Sequence, residues 1–144
     1  MTGQINVNKI AARTGTTITI DTGDALDVTL VKGEGSATTN LKQGLAKAWA
    51  NFDEQDPNQI RDDLNVTNLT DNGTGYFTIN LTNSMNNNDY SRIGSAGENS
   101  NSGGNRVVGL RSPSTGSFNL FTCNTGGSAS DTPDTCIAIF GDLA

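Results

Sequence analysis

Leu64-Asn65-Val66-Thr67-Asn68-Leu69-Thr70-Asp71-Asn72-Gly73-Thr74-Gly75-Tyr76-Phe77-Thr78-Ile79-Asn80-Leu81 is the stretch that decides the fold. Leu64 to Leu69 is a short apolar/polar alternation. Tyr76 to Leu81 alternates again and is expected to turn Phe77, Ile79 and Leu81 inward. Period-two alternation is the signature of a half-buried strand, because successive side chains leave a strand on opposite faces. Between the two runs stands Asp71-Asn72-Gly73, with a second glycine at Gly75. Asn-Gly between alternating runs is the strongest short-range hairpin signal, since both residue types accept positive φ.

The same pattern extends in both directions. Upstream, Ile5 and Val7, Ile18 and Ile20, and Leu26, Val28 and Leu30 form three thin apolar stripes within residues 5–31. Strands so thin bury too little surface to offset their own chain entropy and would gain stability from neighbouring copies. Asp21 to Asp24 reads as a turn, and residues 33–39, from Gly33 to Thr39, as a flexible connection. This places a boundary near residue 40, between an N-terminal arm (1–40) and a C-terminal domain (41–144). Leu41, Leu45, Ala48, Trp49 and Phe52 fit a helical face, but residues 46–52 also alternate, and the strand reading is preferred. Downstream, strands are expected at 90–93, 107–110, 117–123 and 136–140. Polar loops are expected at 53–59, 83–89, 94–105 and 124–135, the third long and mobile. About nine or ten short strands without a clear helix describe an all-β chain, an antiparallel β-sandwich of jelly-roll-like type.

Composition agrees. Of 144 residues, 18 are Asn, 19 Thr, 17 Gly and 11 Ser, while only 33% are hydrophobic and 17% charged. Hydrophilicity therefore comes from amides and hydroxyls, in residues that favour turns and strands over helices. The net charge is −6, and nine basic residues are scattered along the chain. That balance repels phosphate backbones, so nucleic-acid binding is not expected. No run approaches the roughly 18 apolar residues of a membrane span, and no basic-then-apolar leader opens the chain.

Histidine is absent, which removes the commonest general base and metal ligand. Serine and threonine abound, but no Ser-His-Asp or Cys-His set can be built. Asp21, Asp24 and Asp27 around Gly23 do not match a calcium loop and read as turn and strand acids. Asp53, Glu54, Asp56, Asp62 and Asp63 hold enough carboxylates for a glycosidase pair, yet read better as a solvated acidic loop. No catalytic residue, cofactor or metal is expected. The sequons at Asn65, Asn68, Asn72 and Asn80 are what chance produces in so Asn- and Thr-rich a chain. Cys123 and Cys136 lie 13 positions apart in two expected strands. They are equally compatible with a disulfide closing a hairpin, contributing on the order of 3 kcal/mol, and with two buried thiols. Tyr76 and Tyr90, with Asn87, Asn88, Asn99 and Asn101 on the polar loops, are the candidate surface-binding residues, since aromatic faces stack on sugars and amides bond their hydroxyls. Trp49 could join such a surface, but the preferred reading places it in the core and both tyrosines at the rim.

Gly44-Leu45-Ala46-Lys47-Ala48-Trp49-Ala50-Asn51-Phe52, Ile60-Arg61-Asp62-Asp63-Leu64-Asn65-Val66 and the hairpin Thr70 to Asn80 together resemble a pattern of virion proteins from tailed phages, many of them marine. The close, Ile137 to Asp142, and the opening, Gln4 to Ile10, are similar to those of the tail-fibre-like members. The resemblance covers most of the chain and is most specific over 44–80. It implies a non-enzymatic structural protein on the virion exterior, tail or capsid, made in the host cytoplasm. It further implies a homotrimer, anchored to other virion proteins by the arm, with a β-rich domain that meets a host-surface glycan or protein. The chain is shorter than the usual fibre, with almost no shaft, and residues 94–105 are unusually rich in Gly, Asn and Ser. A stubby spike and a capsid decoration protein therefore both stay open, as does a carbohydrate-binding module outside any virus.

Overall fold

Alternation is carried through into three dimensions. A computed structural model describes residues 30–32, 38–40, 44–56, 60–97 and 106–144. Its strands are β1 (Leu30–Lys32), β2 (Thr38–Asn40), β3 (Ala46–Phe52), β4 (Ile60–Leu64), β5 (Val66–Asp71), β6 (Tyr76–Leu81), β7 (Ser91–Gly97), β8 (Arg106–Arg111), β9 (Ser117–Asn124) and β10 (Asp134–Phe140). β1 and β2 pair antiparallel as a small ribbon, so Thr38 and Thr39 belong to a strand where a flexible connection was expected. The remaining eight build two antiparallel four-stranded sheets, in the order β4-β3-β10-β7 and β5-β6-β9-β8. The apolar stripes expected at 5–7, 16–20 and 26–29 and the acids Asp21, Asp24 and Asp27 lie outside the described residues.

The inner faces follow the period of two. Ala48, Ala50 and Phe52 of β3 and Ile137 and Ile139 of β10 meet Phe77 and Ile79 of β6 and Phe118 and Leu120 of β9. All nine are buried. Leu81, expected inward with Phe77 and Ile79, is only partly covered but packs against this core. Met85 and Tyr90, both on the segment between β6 and β7, are part of the same cluster. At about 25 cal/mol per Å² of apolar surface removed from water, each large side chain here contributes on the order of 2 kcal/mol.

The sheet edges abut. β4 meets β5 and β7 meets β8 across the two layers, so the sandwich reads around its circumference as β3-β4-β5-β6-β9-β8-β7-β10. The last four strands thus form a Greek key folded over both sheets.

Two features differ from the expectation. The alternation from Leu64 to Leu69 is not one strand: Asn65 has φ 60° and sends the chain from β4 in one sheet to β5 in the other. Its side chain makes that corner. Nδ2 donates to the carbonyls of Lys47 (3.0 Å) and Asn83 (3.2 Å), and Oδ1 accepts from the Asn83 amide (2.7 Å). Asparagine tolerates the left-handed region because its amide can replace lost backbone bonds. Second, β7 runs to Gly97, so the start of the long mobile loop expected at 94–105 is ladder paired with β10. Residues 98–105 lie outside the described residues.

The hairpin turns as expected, with Gly73 and Gly75 both at positive φ. Gly75 has a further reason to be glycine. A Cβ there would run into the backbone of Thr122 and Ser130, because the Gly75 carbonyl accepts the Thr122 amide at 2.8 Å.

Candidate functional site

With the inner faces sealed against each other, the sheet surfaces left open are the outer faces, and these differ. On the first sheet the outward residues are Leu64 of β4, Trp49 of β3, Ala138 of β10 and Ile93 of β7. The ladder sets them side by side, Leu64 opposite Trp49, Trp49 opposite Ala138, Ala138 opposite Ile93. The result is an unbroken apolar row across all four strands. Leu64 is 47% exposed and Ile93 55%. Trp49, expected in the core, is half-buried in this row instead, because in period two it stands opposite to Ala48 and Ala50. Beside the row a shallow depression of about 240 Å³ is lined by Ile93, Gly94, Ser95, Cys136, Ile137 and Ala138.

Beyond the row, toward the end of β3, the first sheet turns polar. Arg61 pairs with Asp53 (3.1 Å) and Asp134 (3.3 Å) and donates to the Asn51 side-chain oxygen (3.2 Å) and the Pro133 carbonyl. Asn51 Nδ2 donates to Asp134 (2.9 Å) and lies 3.0 Å from Cys136 Sγ. Asp62 is also exposed at this end. These pairs are surface pairs and contribute at most about 1 kcal/mol each.

The second sheet's outer face is, over β5, β6 and the adjoining start of β9, a lattice of amides and hydroxyls, while toward β8 it carries Val107, 49% exposed and opposite Cys123. Asn80 Nδ2 donates to Asn68 Oδ1 (2.7 Å) and to Thr70 Oγ1 (3.1 Å). Asn72 Nδ2 donates to Thr78 Oγ1 (2.9 Å), which donates to Asn119 Oδ1 (3.1 Å). At one border of the lattice stand two aromatic rings, Tyr76 and Phe121, edge-on at 6.2 Å, with the Arg111 guanidinium 4.8 Å from the Phe121 ring centre. Three of the four sequon asparagines thus have strand-surface or turn roles here, and the fourth, Asn65, makes the corner.

The acidic loop is not uniformly solvated. Asp53 faces Arg61, but Glu54 is buried, 2% exposed, in a clasp of threonines. Thr122 Oγ1 donates to Oε2 (2.6 Å), the Thr132 amide to Oε2 (3.0 Å), and Thr135 Oγ1 to Oε1 (2.6 Å). The Glu54 amide returns a bond to the Thr132 carbonyl (2.9 Å). Burial pushes the Glu54 carboxyl above the usual carboxylate range; the Thr122, Thr135 and Thr132 bonds act against this, and the nearby Asp131 charge adds to it. The clasp draws the second half of the loop expected at 124–135 into the protein, where Thr132 and Thr135 are fully buried. In sequence Glu54 looked like its acidic neighbours; the only signal was its place two residues past the last core residue of a strand.

Of the candidate binding residues, Tyr76 lies on the second outer face, half-buried against Phe121. Tyr90 is a core residue: 6% exposed, edge-on to Phe118, its hydroxyl donating to the carbonyls of Ser114 (2.9 Å) and Ser117 (3.2 Å). It therefore offers no ring to a ligand. Burial also lifts its phenol, against the opposing effect of Arg92 over its ring. Asn87 and Asn88 are exposed on the β6–β7 connection, and Asn87 Oδ1 caps the Asp89 amide at 2.8 Å. Asn99 and Asn101 lie outside the described residues. Tyr76 and the two loop asparagines are not joined into one cluster by any bond among the described residues.

Cys123 and Cys136 are both free thiols. Their strands, β9 and β10, are not ladder neighbours but belong to different sheets. Phe118, Leu120 and Thr122 point inward on β9, as do Thr135, Ile137 and Ile139 on β10, so both cysteines point outward, from opposite sheets. A sandwich about 10 Å thick stands between them, beyond disulfide reach. The hairpin closure considered from sequence does not occur within this chain.

What fold and surface define is an antiparallel β-sandwich with an apolar core, a buried carboxylate clasp at one end, an apolar row across one outer face and an amide and hydroxyl lattice on the other. Among the described residues no group of three or more His, Cys, Asp or Glu could hold a metal, and no helix is long and apolar enough to cross a membrane. No family model, curated protein or solved structure matches the chain.

Proposed function

We propose that this chain is a non-catalytic structural protein on the exterior of a phage particle, a short tail-fibre- or spike-like appendage whose domain meets the host surface. The observation that supports this reading most is the unequal dressing of the two outer sheet faces. An apolar face fits assembly, and a face of Asn and Thr with an aromatic border fits contact with a glycan or a polar protein surface. Of the five carboxylates considered for a glycosidase pair, Asp53 is tied to Arg61 and Glu54 to its threonines, which supports a binding reading over a catalytic one.

In this reading residues 1–40 are the arm that anchors the protein to other virion proteins and joins three copies. Residues 41–144 are the projecting domain, whose Greek key over two sheets is read as jelly-roll-like. The rival assignment is capsid decoration. Cryo-EM of the intact particle, with copy number, separates the two. A few copies at the tail are expected; copies that repeat with capsid symmetry would overturn the appendage and make this a decoration protein.

A further inference from the structure

We infer that the outer face of the first sheet is a docking surface for a second copy of this chain, packed face to face with its strands running the opposite way. The inference does not depend on the virion reading. It starts from the row Leu64–Trp49–Ala138–Ile93. Four strands at about 4.8 Å spacing set Leu64 and Ile93 about 14 Å apart, with apolar residues at every step between. Such an unbroken exposed stripe is uncommon on a chain that works alone. Its shape is self-complementary. A two-fold axis laid along the row places each row residue over its own counterpart, so that the row side chains meet end to end between the two stacked sheets.

Charge selects this arrangement among the ways of stacking the face. One end, where β3 begins, carries Lys47 beside Phe140, which the ladder sets opposite Ala46, with exposed Asp142 two residues beyond. The other end carries Asp53, Asp62 and Asp134 around the single Arg61. A two-fold axis along the row lays the end that holds Lys47 and Asp142 over the partner's acidic end and so keeps the two acidic ends apart. An axis along the strands, or a ring of copies with strands parallel, would set acid on acid, which is costly in a chain already at −6. The face measures about 19 by 24 Å, on the order of 450 Å² in projection. That is at the small end for a specific interface, so the association is concentration-dependent.

The test uses the full chain. Light scattering from about 1 µM to 1 mM is expected to reach an even multiple of the 15.0 kDa chain mass. Ile93→Asp, at an exposed position on an edge strand, is expected to halve that mass while far-UV circular dichroism and Tm stay near wild type. In a Cys136→Ser background, Ile93→Cys is expected to cross-link to itself under mild oxidation, and so is Leu64→Cys, whereas a mixture of the two gives no mixed dimer. An odd multiple for the wild type, or an unchanged mass for Ile93→Asp, would overturn the proposal. If Ile93→Asp shifts Trp49 emission to the red without changing the mass, the chain's own residues 1–29 cover the face, which refutes docking of a second copy. Mixed Leu64–Ile93 cross-links would refute the two-fold axis along the row.

Discussion

Glu54→Gln should make the protein more stable at neutral pH and leave it nearly unchanged in acid. Burial holds the carboxyl of Glu54 above its ordinary value in the folded protein. The folded state therefore binds this proton more tightly than the unfolded chain does. The stability that Glu54 contributes is fully present below the unfolded carboxylate pKa, near 4.3, and is lost as pH rises through the raised folded value. Each unit of that elevation corresponds to about 1.4 kcal/mol, or roughly 4 °C in Tm for a domain of this size. Glutamine removes the titration yet fits the clasp. Its oxygen can take the place of Oε2, accepting from Thr122 and from the Thr132 amide. Its NH₂ then faces Thr135, whose hydroxyl can turn its proton to Thr132 Oγ1, 2.7 Å away, and accept instead. Thermal unfolding from pH 3 to pH 8 checks this. The difference in Tm, variant minus wild type, should be small and flat below pH 4, rise through the acid range, and level off with Glu54→Gln ahead. A difference that instead turns negative as pH rises would mean that the three hydrogen bonds outweigh burial and hold the carboxylate ionised, and the reasoning would be wrong.

Gly75→Ala should destabilise by about 1–3 kcal/mol from its φ of +66° alone, and by more once the methyl meets the Thr122 and Ser130 backbone; urea midpoints against Gly44→Ala, where nothing stands within 4 Å, give the comparison. Asn65→Ala should cost about 2–3 kcal/mol through lost corner bonds and left-handed strain, and Asn65→Gly about 1 kcal/mol less because only the bonds are lost; equal losses from chemical denaturation would place Asn65 outside the corner's energetics. Under non-reducing conditions two thiols per chain should titrate after unfolding, and in the native protein partly exposed Cys136 should react before buried Cys123; a single intrachain disulfide by mass spectrometry would contradict the opposite placement of the two strands.

The strands were legible in the sequence wherever one face is apolar. Period two in Ala46–Phe52, Tyr76–Leu81 and Ser117–Cys123 states the element, and in Tyr76–Leu81 also its inner face, because burial on one side demands alternation. The Asn72-Gly73 turn was legible for the same local reason: few residues accept positive φ. β4 was not, since Arg61, Asp62 and Asp63 carry no apolar stripe, and its pairing to β3 comes from the neighbour rather than from its own residues. Nor was the corner at Asn65 visible, where one left-handed residue splits an alternation that reads as continuous.

The site depended still more on tertiary structure. Alternation says that Trp49 and Ala48 face opposite ways, but not which way is in. That was decided by β10, which sets Ile137 and Ile139 beside Ala50 and Ala48, and by the opposite sheet, whose Phe77, Ile79, Phe118 and Leu120 close over that face and leave Trp49 in the outer row with Leu64 and Ile93, residues distant in sequence. Tyr90 became core because the chain after β6 folds under Phe118, and Glu54 became a clasp because β9 and the approach to β10 bring three threonines to it. By itself the sequence determined an all-β chain of short alternating strands, through local backbone preference and the two-sided geometry of a strand. Which outer face is apolar, which carboxylate is buried and which cysteines can never meet were decided only by strand order, since each depends on what a distant strand places beside the residue.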